Sequence, residues 1–77
     1  MDEINYMKLT LGEKFALLRK QEGKTPEEVA EHLGLSLTSY IRLENDFTYP
    51  TDLQITKLGS LYGLRYDQVV AFGEGTV

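Results

Sequence analysis

Two short amphipathic stretches joined by one glycine constrain this chain more than any other feature. Within residues 25–46, TPEEVAEHLGLSLTSYIRLEND, Val29, Ala30 and Leu33 share one helical face. Gly34 then supplies a residue that tolerates positive φ, and Leu35 turns back toward the core. Ser36 is placed to restart a helix as its N-cap, with Tyr40 and Leu43 as the buried stripe. That register leaves Leu37, Thr38, Ile41 and Arg42 on the opposite side. A turn this short brings the second helix across the first, and the small side chain of Ala30 permits the close crossing. The pattern reads as a helix-turn-helix rather than a generic helical hairpin.

The flanking segments read as support for that unit. Residues 10–13, T-L-G-E, form a capping box that starts a first helix, with Phe15 and Leu18 facing inward and Gly23 stopping it. A second box, T-P-E-E, opens the next helix, with Thr25 as cap, Pro26 at the first helical position and Glu28 closing the box. After Asn45 the stretch DFTYP is a loop, and Pro50 keeps Tyr49 out of helical conformation. Thr51 and Gln54 begin a fourth helix, whose buried stripe is Ile55, Leu58 and Tyr62. Gly59 lies on that face; because glycine inside a helix costs about 1 kcal/mol against alanine, its presence implies close approach by another backbone or a bulky group. Gly63 ends the helix, and a short fifth helix is expected over residues 66–72, with Val69 and either Val70 or Phe72 inward. The expected class is therefore all-α, a compact five-helix bundle around a central helix-turn-helix. Residues 1–9 are an arm of ambiguous structure, 10–72 the domain, and 73–77 an unheld, disordered tail.

The 77 residues, 42% of them hydrophobic, provide for one small core. With no cysteine and one histidine, neither a disulfide nor a metal can staple it, and helix packing must suffice, with dimerisation as a possible aid. No apolar run approaches the roughly 20 residues of a membrane span, and the start MDEINYMK lacks a signal-peptide layout, so the expected location is the cytoplasm, away from membranes. His32 has no partner ligand and reads as a surface residue; no cofactor is expected. Nor is there a Gly-rich phosphate loop or a carboxylate pair at a telling spacing, which speaks against an enzyme. The net charge of −4 argues against a protein that coats nucleic acid non-specifically, since such proteins are usually basic. Its distribution is uneven: Lys14, Arg19, Lys20 and Lys24 cluster on and after the first helix, while Glu27, Glu28 and Glu31 make the second acidic.

Residues 11–69 resemble the Cro and lambda-type repressor family of helix-turn-helix proteins, also called the XRE family. The resemblance rests on Leu18-Arg19, the span from Ala30 to Gly34, Glu44-Asn45-Asp46, Pro50 and Leu61-Tyr62-Gly63. It implies a lambda-repressor-like fold, binding to double-stranded DNA as a homodimer, and a recognition helix over residues 36–45 in the major groove. It also implies an ion pair between Arg19 and Glu44 that bolts the first helix to the recognition helix. The DNA-facing residues it implies are Thr25, Ser36, Leu37, Thr38, Ser39, Ile41, Arg42, Thr48 and Tyr49. This chain departs from the family where phosphate or base contacts are usual. Pro26 replaces a common glutamine and lacks both donors, Leu37 and Ile41 stand where polar readers are common, and the loop 46–49 has no cation. Leucine and isoleucine can still meet thymine methyls, and Thr, Ser and Tyr hydroxyls can donate to phosphates. The departures leave a second function class open, in which Leu37, Ile41, Phe47 and Tyr49 anchor a partner protein.

Overall fold

The computed structural model describes residues 9–74. They form five helices in order: α1 (Leu11–Gln21), α2 (Pro26–Leu33), α3 (Leu37–Glu44), α4 (Asp52–Tyr62) and α5 (Tyr66–Ala71). Each start has a local cause. Thr10, Thr25 and Thr51 each accept from the backbone N–H three residues on, while Glu13, Glu28 and Gln54 reach back to the cap N–H. Three reciprocal capping boxes thus satisfy amides that would otherwise lack partners in helices too short to be stable alone.

Every helix contributes to one core. Phe15 and Leu18 from α1 meet Val29, Ala30 and Leu33 from α2, Tyr40 and Leu43 from α3, Ile55 and Leu58 from α4, and Val69 from α5. Phe15, Val29, Tyr40, Leu58 and Val69 are fully enclosed; complete burial of an apolar side chain of this size stabilises by about 1.5–3 kcal/mol. α3 packs on both α1 and α2, α2 also packs on α4, and α5 closes the bundle against α4 and α1.

Two glycines mark the closest backbone approaches. A Cβ on Gly59 would lie 2.5 Å from the Leu64 carbonyl oxygen and 2.9 Å from a Val69 methyl, which is the crowding its place inside a helix implied. Gly12, on the first turn of α1, would set a Cβ 2.5 Å from the carbonyl oxygens of both Leu43 and Glu44. α1 therefore rests directly on the C-terminal end of α3.

The C-terminal end differs from expectation. Glu74 accepts from Lys14 Nζ at 2.7 Å and its N–H donates to Ala71 O at 3.2 Å, so the tail is held through residue 74. Lys14 Nζ also donates to the Val70 carbonyl. Lys14 is buried, and its ammonium meets these oxygens where α5 ends. Leu9, assigned to an arm, packs against Gly73, where an added Cβ would sit 2.5 Å from Leu9 Cδ1. The rest of the arm (1–8) and of the tail (75–77) lies outside the described residues.

Candidate nucleic-acid interface

The turn between α2 and α3 is closed by Gly34 at φ 74°, a left-handed cap that lets the Leu35 N–H return to Ala30 O at 2.9 Å. A residue with a Cβ would strain this conformation, and a longer turn would lose the crossing. Ala30, buried under that crossing, has the small side chain it requires. Ser36 then caps α3, accepting from the Ser39 N–H at 3.1 Å.

α3 is fixed from beneath and from its far end. Tyr40 and Leu43 anchor it in the core. At the C-terminal end, Arg19 Nε donates to Glu44 Oε2 at 2.6 Å and Arg19 Nη2 donates to Glu44 Oε1 at 3.2 Å, a fork-to-fork pair. Arg19 Nη1 adds a bond to Lys24 O at 3.2 Å. The side chains of this pair are 13% and 11% exposed. The bond to Glu44 raises the Arg19 pKa further, so the guanidinium stays charged. Beside it the hydroxyls of Tyr40 and Tyr62 are enclosed without a hydrogen-bond partner among the described residues. Burial pushes the Tyr62 phenol up to about 12, and burial with the nearby Glu44 carboxylate pushes Tyr40 higher still.

What α3 turns outward is mixed. Leu37 and Ile41 are each 39% exposed, and Thr38, Ser39 and Arg42 are also exposed. Ser36 Oγ donates to Ser39 Oγ at 3.0 Å, which engages both hydroxyls locally. In the following loop Thr48 is exposed, as are Phe47 at 76% and Tyr49 at 80%. Thr25, at the α2 N-terminus, has its N–H taken by Glu28 Oε1 at 2.8 Å, and its hydroxyl accepts from Glu28 N.

Three residues carry roles that reading the chain missed. Asp46 adopts φ 63°, the one non-glycine with positive φ among the described residues. Its carboxylate accepts from Gly12 N at 3.0 Å and from Thr10 Oγ1 at 2.6 Å, so a loop acid caps a helix 34 residues earlier. Lys14 is 3% exposed and belongs to the core rather than to a basic cluster. Gly12 is the close-contact residue, and a glycine in a first helical turn is the one local signal that could have shown it. His32 is exposed, with Nε2 3.0 Å from Lys57 O. Among the described residues no group of three or more His, Cys, Asp or Glu side chains could hold a metal ion.

A short helix held across its predecessor by a glycine-capped turn, presenting one side chain set outward, defines a helix-turn-helix protein. Comparison with known families agrees: the chain belongs to the helix-turn-helix domain family, whose model matches residues 12–71. That span takes in every motif on which the resemblance to Cro and lambda-type repressors rests, from Leu18-Arg19 to Leu61-Tyr62-Gly63. No curated protein and no solved structure matches the chain. Among the described residues no helix is long and apolar enough to cross a membrane.

Proposed function

We propose that this chain is a sequence-specific regulator of transcription that binds duplex DNA, with α3 in the major groove. The observation that supports it most is the division of α3 into a fixed inner face and an outward face. Tyr40, Leu43 and the Arg19–Glu44 pair hold the helix, while Leu37, Thr38, Ile41 and Arg42 project from its first two turns. A recognition helix needs both properties, because base edges are read by side chains whose backbone must not move. Thr25, Ser36, Ser39, Thr48 and Tyr49 are assigned to phosphate contacts at its margins.

An eight-residue helix reads a half-site, so a second copy of the chain on the adjoining half-site is part of this proposal. The apolar residues of α5 offer little for that contact. Val69 is buried and Val70 and Phe72 pack against the chain's own core, leaving Tyr66 as the exposed large side chain of that helix.

Footprinting on DNA flanking the gene, at low and at moderate salt, tests the reading. Protection of a site with two half-sites about one helical turn apart is the expected result. Absence of protection even at low salt removes it. The competing reading draws on the exposure of Phe47 and Tyr49 beside Leu37 and Ile41, and on the absence of any cation in residues 46–49. A protein-docking face predicts that Leu37→Ala and Ile41→Ala abolish partner capture while Arg42→Ala changes little.

A further inference from the structure

We propose that α3 recognises the 5-methyl groups of pyrimidines on the major-groove wall, supplied by thymine or by 5-methylcytosine. This rests on the DNA-binding reading above and names what that surface selects. The N-terminal turns of a recognition helix are the part that reaches base edges. Here those turns present Leu37 and Ile41, four residues apart on one side of the helix, each 39% exposed, with the methyl-bearing Thr38 beside them.

Hydrogen-bonding readers are sparse on the same surface. The hydroxyls of Ser36 and Ser39 are bonded to each other at 3.0 Å, and Ser36 Oγ also accepts the Ser39 N–H. Arg42 is the one cation of α3 and the residue there with the fork geometry for a guanine edge. An exposed aliphatic pair set against base edges gains nothing from amino or carbonyl groups, whose water it would displace without replacing the hydrogen bonds. It gains from a methyl group, and in the major groove the C5 position of pyrimidines is where one occurs. Thymine and 5-methylcytosine carry it at the same atom, so the aliphatic contact does not distinguish them.

Selection from three randomised duplex pools tests the proposal with the full chain. One pool contains thymine and cytosine, the second uracil and 5-methylcytosine, the third uracil and cytosine, which removes every 5-methyl group. The best duplexes from the third pool should bind about fifteenfold more weakly, since each buried methyl is worth about fourfold and two are read. Gain in the first pool alone makes thymine the source, gain in the second alone makes it 5-methylcytosine, and gain in both shows that the methyl suffices. The Leu37→Ala/Ile41→Ala double variant, altered at exposed positions and checked by its thermal melt, should bind its best duplexes from all three pools alike. Equal affinity of the wild-type chain for the three selected sets overturns methyl recognition while leaving DNA binding intact. Failure to enrich any duplex from any pool overturns both.

Discussion

Asp46 and Gly12 are joined by a 3.0 Å hydrogen bond from the Gly12 backbone N–H to the Asp46 carboxylate, across 34 residues of chain. The bond ties the loop that follows α3 to the first turn of α1. Position 46 needs an acceptor and a tolerance for φ 63° together, which aspartate and asparagine provide and alanine does not. Stability should therefore fall in the order Asp, Asn, Gly, Ala. Asp46→Gly removes the cap alone, costing about 1 kcal/mol, and Asp46→Ala adds about 1–2 kcal/mol of left-handed strain. Urea unfolding of the four proteins checks the order; an alanine variant as stable as glycine would show that the conformation is not enforced.

Gly12→Ala should destabilise although alanine is the better helix former. Its Cβ meets two carbonyl oxygens at 2.5 Å, and both belong to the backbone of α3, which cannot rotate away. Overpacking of this kind costs about 1–3 kcal/mol, against a propensity gain of about 1 kcal/mol. A melting temperature equal to or above that of the parent would place α1 farther from α3.

Arg19→Met and Glu44→Leu should each be costly, about 3–5 kcal/mol, because either leaves a largely buried charge without its partner. The double variant should lose less than either single change, since no charge is then stranded. A double-mutant cycle measured by chemical denaturation reads this coupling directly; additive losses would mean the pair contributes through packing alone.

The two enclosed tyrosines set an alkaline limit. A phenol in the unfolded chain ionises near pH 10, whereas the folded Tyr62 does so at about 12 and Tyr40 is raised further. Because the folded pKa values are raised, the stabilisation is complete below pH 10 and is lost as pH climbs from there toward 12 and beyond. Followed by tyrosinate absorbance and circular dichroism together, the last two of the five tyrosines should ionise as helicity is lost. Ionisation of all five with helicity intact would show that Tyr40 and Tyr62 are accessible to solvent.

Salt should weaken DNA binding only modestly. Lys14 is buried against the end of α5, Arg19 is paired with Glu44 and Arg65 with Asp67, and the proposed interface draws on Arg42 of α3 and Lys24 just before α2. Two to three neutralised phosphates per protomer correspond to a slope of log K against log salt of roughly −2 to −3. Binding isotherms at several salt concentrations measure it, and Arg42→Ala should flatten the slope by about one. A markedly steeper dependence would mean that cations outside this set reach the backbone.

Local chemistry alone settled the helices, their starts and the turn between α2 and α3. Threonine caps with Glu or Gln three residues on, Gly34 after an apolar stripe, and Tyr40 with Leu43 at helical spacing are all short-range signals, and the observed elements follow them closely. Gly59 announced its crowding because a glycine inside a helix is otherwise a cost without a return. Tertiary structure decided what the charged residues do. Lys14 reads as one more surface cation until α5 brings the Val70 carbonyl and Glu74 to its ammonium, and Asp46 reads as a loop acid until the start of α1 arrives beside it. Apolar periodicity reports which face a helix buries, since burial follows spacing along one element. The partner of a long polar side chain depends on which distant backbone group packing delivers to it, and no local spacing encodes that.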